Sequence, residues 1–544
     1  MDIWLLIQLS LSLATALTLL LRQATTNGTK KRRLPPGPPA LRILGNIFWL
    51  WRSFQELEFI IRERHSRYEP IVTLRIGSRP AIFISENPRS PGSHRAGRHL
   101  LRPPRPPPRL PFPQQQPAYI ISAAAYGPFW RLLRRNQLIS EILHSSRVKL
   151  HAPGRAWVLR VLTNHLRSQA DSNGAGAVTA MRSFHVAMFC LLVLMCLGEK
   201  LDEKAIEDIE IANRSFLPYS SKLNVLGFFP RITRYILGFI WNRIKTASQM
   251  CRRQAELFLP LIEARKEHKK QQQHKREGER YVHSYVDSLL DMEFPEEWGR
   301  KLTDEEIVSL CSEFLNAGTD STSTALQWIM ANLVKHQDIQ GKLVGRDRRV
   351  VEKDREEIKE EDLQRMPYLK AVIMEGLRRH PPAHFVLPRT ATEDATLDGH
   401  LIPKNASVNF MVAEMSWDGK VWEEPMEFKP EKFLAGGLGE GVDITGSREI
   451  KMMPFGASRR TCPGLGLAML HLEYFVANLV RAFEWKAVDG EEVDLSEKTE
   501  FMVVMKKPLR REASQCTSCP IPFFHDHLRG SSEISYGRGI VAFI

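Results

Sequence analysis

The sequence predicts a mainly α-helical fold with small β-sheets. A capping box at Thr303 and Glu306 precedes an apolar periodicity that runs to about Lys335, which indicates a very long helix. Residues 184–197 are an apolar block long enough for a buried helix. By contrast, residues 70–85 alternate apolar and other side chains on both sides of a Gly-Ser pair, as in two strands joined by a turn.

Net charge argues against a nucleic-acid-binding protein. The 544 residues carry a formal charge of +14. Most of this charge lies in three peripheral segments, with +4 in residues 1–33, +5 in 86–117 and +3 in 506–544. The rest of the chain is nearly neutral and lacks the positive charge that a nucleic-acid-binding domain needs. The seven cysteines have no framework spacing, and their odd number argues against a fully paired disulfide scaffold, so a reducing compartment is expected.

The N-terminal residues predict a membrane anchor. Residues 3–21 are apolar and uncharged, close to the ~20 residues that span a bilayer. KKRR at 30–33 and LPPGPP at 34–39 follow, so we assign residues 1–22 to a single-pass anchor and 23–39 to a basic, proline-rich hinge. The positive-inside rule places the body on the cytosolic side. A cleaved signal peptide is the alternative.

Residues 40–509 are expected to form one catalytic domain, with an irregular tail at 510–544. Residues 263–280 are charged and are interpreted as an exposed connection. Residues 86–117 are anomalous, because ten prolines and six arginines cannot form helices through the proline run. They are either a functional Pro/Arg-rich loop or a local reading-frame slip; the slip is favoured because the change in composition is abrupt.

Three shorter elements follow the long helix or lie within it. Residues 317–322, AGTDST, are a poor helix interior and predict a surface face, a mild kink or a local opening of the helix. Pro367 begins a short helix that Pro381 and Pro382 stop, and residues 396–410 read as short strands and turns.

Cys462 lies in PFGASRRTCPGLGLAML, between a loop and an apolar run that reads as a helix. Backbone N–H groups and the helix dipole at such a helix start favour a thiolate, although a buried structural thiol is the simpler interpretation. The stretch resembles the haem-thiolate loop of cytochromes P450, F-x-x-G-x-R-x-C-x-G. It keeps Phe455, Arg460, Cys462 and Gly464, and has Ser458 in place of a glycine.

The resemblance extends from residue 3 to residue 509 through five motifs in the family's order, and is strongest to plant A-type microsomal P450s. It implies a P450 fold in which haem b lies between the AGTDST helix and the helix after the cysteine loop. By this resemblance Cys462 is the axial iron ligand and Phe455 covers the sulfur. The haem-binding residues would be Trp130, Arg134, Arg389, Phe455, Arg460, Cys462 and Gly464.

The same resemblance assigns two further groups. Asp320, Ser321 and Thr322 would be catalytic, with Asp320 and Ser321 as the acid and alcohol of a proton relay. Ser321 lies where the family usually has threonine. Glu375 and Arg378 match E-x-x-R and would form a structural triad with Lys432, where the family has an arginine whose planar fork lysine lacks.

The implied function is monooxygenation of a small hydrophobic substrate at the endoplasmic reticulum membrane. NADPH-cytochrome P450 reductase would supply the electrons, and cytochrome b5 is an optional second partner. The alternative is a catalytically impaired P450-like protein. In it, residues 86–117 would not form the segment that covers the substrate pocket in the family. A haem-thiolate isomerase or dehydratase is a third hypothesis, disfavoured because the relay residues are present.

Overall fold

The structure is a computed structural model in which most of the chain between residues 54 and 515 is described. The described residues are 34–38, 54–67, 70–76, 79–86, 120–124, 126–172, 177–224, 237–274, 282–294, 299–350, 355, 357–446, 450–488 and 492–515. The predicted anchor (1–22), most of the hinge, and residues 87–117 of the anomalous segment lie outside this set.

Helices make up most of the described chain, as predicted. In chain order they are α1 (Phe54–Arg67), α2 (Pro128–Arg131), a π-helix (Leu132–Ile142), α3 (Ser145–Leu150), α4 (Ala152–Ser172), α5 (Ala180–Leu197), α6 (Glu203–Asn224), α7 (Leu237–His274), α8 (Tyr285–Leu290), α9 (Asp304–Lys335), α10 (Gln337–Val350), α11 (Pro367–Arg379), α12 (Val412–Ser416) and α13 (Leu465–Ala482). Single 3-10 turns lie at Leu363–Arg365, Pro430–Phe433 and Ser458–Arg460.

The strands form small sheets, which confirms the mainly α class with small β-sheets. They are β1 (Ile71–Ile76), β2 (Arg79–Ile84), β3 (Ala177–Thr179), β4 (Glu293–Phe294), β5 (Arg300–Lys301), β6 (Arg389–Thr390), β7 (Ala395–Leu397), β8 (His400–Ile402), β9 (Ser407–Phe410), β10 (Phe483–Lys486), β11 (Glu497–Thr499), β12 (Val503–Met505) and β13 (Arg510–Gln515). The largest has the order β1-β2-β9-β6, and another has the order β10-β13-β3.

The core is built around α9. It packs against α5, α11 and α13, and all four helices contribute to one large apolar cluster. Among the described residues α5 is the one helix long and apolar enough to cross a membrane, but 78% of it is buried inside the protein. It is therefore accounted for as a core helix, as the apolar block at 184–197 predicted.

The capping box that predicts α9 is confirmed. The backbone N–H of Thr303 donates to Glu306 Oε2 at 2.8 Å, and the Glu306 N–H donates to Thr303 Oγ1 at 3.3 Å. The local opening expected at residues 317–322 is not present, because the helix continues through them. The hydroxyls of Thr319 and Ser321 donate to the carbonyls four residues earlier, which satisfies them without interrupting the helix.

Most of residues 263–271 are exposed or half-buried, as predicted, but the stretch is not an irregular connection as far as His274, where α7 ends. Lysine, glutamate and glutamine are good helix formers. Ion pairs one turn apart support the helix, as between Lys266 and Glu263 at 2.6 Å. Arg265 also forms a buried ion pair with Asp287 of α8.

The irregular tail predicted from Arg510 is wrong for its first six residues. Strand β13 is the middle strand of its sheet and pairs antiparallel with both β10 and β3. The sequence RREASQ has too few apolar residues to predict a strand, so the pairing partners on both sides determine its conformation. Residues 516–544 lie outside the described set.

Candidate functional site

The Cys462 loop is held by backbone hydrogen bonds just before α13. The Cys462 N–H donates to the Phe455 carbonyl at 2.8 Å. Burial raises the pKa of the Cys462 thiol, while the Gly464 backbone N–H and the charge of Arg134 act in the opposite direction. The loop thus supplies the donor and the cation expected to stabilise a thiolate, and a bound metal ion would favour the thiolate further.

Two residues in the same loop adopt left-handed backbone conformations. Gly456 has φ of 67°, and Ser458 has φ of 64°. The sequence left open whether φ at Ser458 is negative; it is positive, in the region that disfavours residues with a Cβ. Ser458 therefore carries local strain that glycine would not.

Three predicted haem-binding arginines converge on this loop. Arg134 donates to the Thr461 carbonyl, Arg389 donates to the Ala457 carbonyl at 3.2 Å, and Arg460 donates to the Ala124 carbonyl at 2.7 Å. Burial, followed by repulsion from the other arginines, lowers the pKa of Arg389 and of Arg460 to about 10. Like charges held this close favour an anion between them.

Trp130 lies against the arginines but uses its indole N–H elsewhere. Its Nε1 donates to the Ile121 carbonyl at 3.1 Å. The Arg460 and Arg134 guanidinium carbons lie 4.4 and 5.2 Å from its ring centroid. Trp130 ends up in α2 and Arg134 in the π-helix, so regular i,i+4 α-helical geometry does not relate them. Trp130 supports the arginines through its ring face rather than through its N–H.

The relay residues lie in the middle of α9. Asp320 Oδ1 lies 2.8 Å from Nε2 of His185 on α5. Ser321 Oγ donates to the Ala317 carbonyl at 2.8 Å, and Thr322 is buried. A carboxyl group and a hydroxyl group therefore lie next to each other on the helix that the sequence assigns to one side of the haem.

Glu375, Arg378 and Lys432 come together in the core. Arg378 Nε and Nη2 donate to the two Glu375 oxygens at 2.7 and 2.9 Å. Lys432 Nζ lies 3.3 Å from Glu375 Oε1 and also reaches the carbonyls of Glu424 and Glu427 at 3.0 and 2.9 Å. Lysine lacks the planar fork of arginine, but its ammonium group has three donors, and here they reach one carboxylate oxygen and two backbone carbonyls.

Comparison with known proteins decides the family. The family model for cytochrome P450 matches residues 35–511. This chain is a cytochrome P450. Cytochrome P450 89A9 of Arabidopsis thaliana is 45% identical over 494 residues, which cover 88% of this chain and 93% of the relative.

More distant relatives of this P450 are named as monooxygenases. A flavonoid 3'-monooxygenase of Crocosmia x crocosmiiflora is 30% identical, over 84% of this chain and 87% of the relative. A phenylacetaldehyde oxime monooxygenase of Prunus mume is 28% identical, over 92% of this chain and 93% of the relative. The protein is thus a plant-type P450 and a haem-thiolate monooxygenase in the general sense.

The residues around the P450 cysteine loop fit a haem. The hydrogen bonds of the three arginines described above all go to backbone carbonyls, and Nε of Arg460 is buried with no partner among the described residues. Two propionates would supply the missing negative charge and acceptors. Cys462 lies near Arg134 and just before α13, and would supply a sulfur ligand.

Sequence reasoning missed two residues of this P450 site. His185, the partner of Asp320, is a polar residue within the apolar block of α5, and that exception was the available signal. Glu313 on α9 accepts from the backbone N–H groups of Ile121 and Ser122 at 2.7 and 2.8 Å. These two hydrogen bonds fix the position of the backbone just after the anomalous segment. Nothing in the sequence around Glu313 indicates this long-range contact.

Proposed function

We propose that this P450 inserts one oxygen atom from dioxygen into a small hydrophobic substrate. Its electrons would come from NADPH through NADPH-cytochrome P450 reductase, with cytochrome b5 as a second electron donor. The observation that carries the proposal is the convergence of Arg134, Arg389 and Arg460 on the loop that holds Cys462. A site that only stored or transported haem would not need an acid and an alcohol on the opposite helix.

In the proposed site each residue has a separate task. Cys462 would bind the iron. The propionates would be held by Arg134, Arg389 and Arg460. The Trp130 ring would support Arg134 and Arg460. Phe455 would cover the sulfur. Gly464 would lie beside it, where a Cβ would be 3.9 Å from Sγ, an ordinary van der Waals contact. The bound haem would supply the electron transfer and dioxygen chemistry that amino-acid side chains lack.

The chain's own chemistry on the other side is proton handling. Asp320 Oδ1 would take up a proton and pass it to the Ser321 hydroxyl, which can donate while it accepts. Thr322, buried on the same helix, would help exclude bulk water. Glu375, Arg378 and Lys432 hold the segment that leads to the cysteine loop and take no part in the chemistry.

We place the protein on the endoplasmic reticulum membrane with its catalytic domain in the cytosol. The support is the apolar run at residues 3–21, the basic cluster at 30–33 and the likeness to plant P450s. Residues 1–22 would form the anchor and residues 23–39 the hinge.

A ferrous-CO difference spectrum of the full chain in microsomes tests the proposal. The expected result is the band of a thiolate-ligated haem, together with NADPH consumption that depends on added reductase. Cys462→Ala should lose the band, whereas Cys251→Ala, at a half-buried free cysteine of α7, should keep it. Absence of the band in the wild type would favour the impaired P450-like alternative. A normal band without NADPH consumption would favour an isomerase or dehydratase.

A further inference from the structure

His185 is buried between carboxylates from two neighbouring helices. It is 4% exposed on α5, with Nε2 2.8 Å from Asp320 Oδ1 on α9. Its Nδ1 lies 3.2 Å from Glu210 Oε1 on α6, an ion-pair distance without hydrogen-bond alignment. The ring is nearly parallel to that of Phe189, 6.5 Å away, so packing fixes its plane. Three helices therefore meet at one imidazole.

The charges around His185 favour its protonated form. Burial lowers the pKa of His185, but the hydrogen bond to Asp320 and the charge of Glu210 outweigh burial and raise it. Burial raises the pKa of Glu210, but His185 and nearby arginines outweigh it, so the pKa is lowered. The charged groups that face this cluster are Arg182 on α5, 2.6 Å from Glu210, and Arg214 on α6, 3.9 Å from it. The raised pKa of His185 and the two acidic side chains beside its ring therefore both favour binding of a proton.

This cluster connects the protein surface with the proposed relay. The side chains of Arg182 and Arg214 are 51% and 57% exposed, whereas that of Glu210 is 4% exposed. The Asp320 side chain is 20% exposed, so water can approach the inner end of the cluster. Glu210 therefore forms ion pairs with the exposed Arg182 and Arg214 on one side and with His185 on the other.

We infer that His185 is a positioning residue that orients the Asp320 carboxylate and returns a proton to it, with Glu210 retaining the imidazolium. The inference rests on the proposed function, because Asp320 must give up a proton in each turnover. In the step the Nε2–H bond breaks as an O–H bond forms at Asp320 Oδ1. The imidazole becomes neutral and keeps its proton on Nδ1. After Asp320 has passed its proton on, a hydronium ion from bulk solvent protonates Nε2 again and leaves water. No electrons are transferred.

The test uses the full chain loaded with haem in membranes with added reductase. NADPH consumption and hydrogen peroxide release are measured without substrate from about pH 6 to about pH 9. His185→Gln keeps a donor for Asp320 but cannot titrate, and His185→Phe removes both properties. His283→Gln is the matched control, since that histidine lies 4.0 Å from Glu141 and apart from this cluster.

We expect wild-type NADPH consumption to fall as the pH rises through the pKa of His185. His185→Gln should lower the rate by roughly ten-fold and abolish that pH dependence. His185→Phe should lower it further, and both variants should release a larger share of peroxide. His283→Gln should match the wild type. If His185→Gln matches the wild type in rate, peroxide share and pH profile, the inference is overturned while the proposed function stands.

A second readout is independent of turnover. The thermal unfolding temperature is measured for His185→Gln, Asp320→Asn and the double variant. Paired side chains should give non-additive losses, and additive losses would overturn the pairing. If the wild type binds haem but consumes no NADPH, the proposed function fails and the relay fails with it. The unfolding data then still show whether the pair exists.

Discussion

At the scale of single residues, Ser458 shows how one substitution is tolerated with strain. Its φ of 64° is the conformation for which the family motif has glycine. The 3-10 turn Ser458–Arg460 nevertheless forms, and the Ser458 carbonyl accepts from the Thr461 hydroxyl at 2.7 Å. The loop therefore keeps its geometry, and the strain is expressed as lost stability.

Replacing Ser458 with glycine should stabilise the protein. Removal of a Cβ from a left-handed position is expected to raise the free energy of unfolding by about 1 kcal/mol. Ala457→Gly is the control, since φ at Ala457 is −142° and glycine there should only add unfolded-state entropy and lower stability. Thermal unfolding of both variants measures the effect; a loss of stability in Ser458→Gly would contradict it.

Ser321→Thr should raise the amount of oxidised product formed per NADPH consumed. The serine hydroxyl already donates to the Ala317 carbonyl, but it lacks the methyl group that restricts χ1. We expect about a two-fold rise in oxidised product per NADPH, equivalent to roughly 0.4 kcal/mol. The ratio can be measured once a substrate is identified, with Ser309→Thr on the exposed face of α9 as control. An equal or lower ratio would argue against Ser321 as the relay alcohol.

The candidate site residues could be selected from the sequence because each motif is local. Cys462, Arg460 and Phe455 share one loop, and Glu375 and Arg378 share one helical turn. His185 escaped prediction because its role depends on Asp320, which lies 135 residues away. Such a pairing exists only once α5 and α9 pack together.

At the scale of elements, local signals located α9 and the β1-β2 pair. A capping box, a long apolar periodicity and a Gly-Ser turn act within a few residues, so they can be read directly. Strand β13 and the extension of α7 to His274 depend on partners distant in sequence or on exposed ion pairs. A hydrophobicity pattern does not contain that information.

Removal of the α9 cap should destabilise the fold measurably. Thr303→Ala eliminates the side-chain acceptor for the Glu306 N–H and is expected to lower the free energy of unfolding by about 1 kcal/mol. Ser309→Ala on the same helix removes only an exposed hydroxyl that bonds back to the Glu305 carbonyl. Chemical denaturation should therefore separate the two variants. If the two variants lower the free energy of unfolding equally, the Thr303 cap does not contribute to stability.

At the scale of the whole molecule, a buried charged cluster joins distant parts of the chain. His384 forms an ion pair with Glu58 of α1 and lies 3.3 Å from Glu497 of β11. Burial lowers the pKa of His384, but these carboxylates outweigh it and raise the pKa to about 9. The cluster thus ties the first described helix to a strand near the C-terminal end of the domain.

Stability should depend on pH through His384. Because the pKa of His384 is higher in the folded protein than in the unfolded chain, its protonation stabilises the fold. This contribution is fully present below about pH 6.5, the pKa in the unfolded chain, and is lost as the pH rises through about 9. The contribution is on the order of 3 kcal/mol at most. The unfolding temperature of the wild type should exceed that of His384→Gln at pH 7, and the gap should narrow toward pH 9. A gap that is constant with pH would refute the assignment, and His283→Gln should show no such narrowing.

The position of β13 also bears on the order of events while the protein is being made. Its partner β3 ends at Thr179, immediately before the core helix α5, and pairs with Arg510. At ordinary rates of translation, the 330 residues between Thr179 and Arg510 take roughly 20–70 s to synthesise. The nascent chain must therefore keep β3 without its partner for that whole interval, and closure of this sheet follows the synthesis of nearly all the helices. A chain that ended before Arg510 would lack β13, so β10 and β3 would both lose their partner in this sheet.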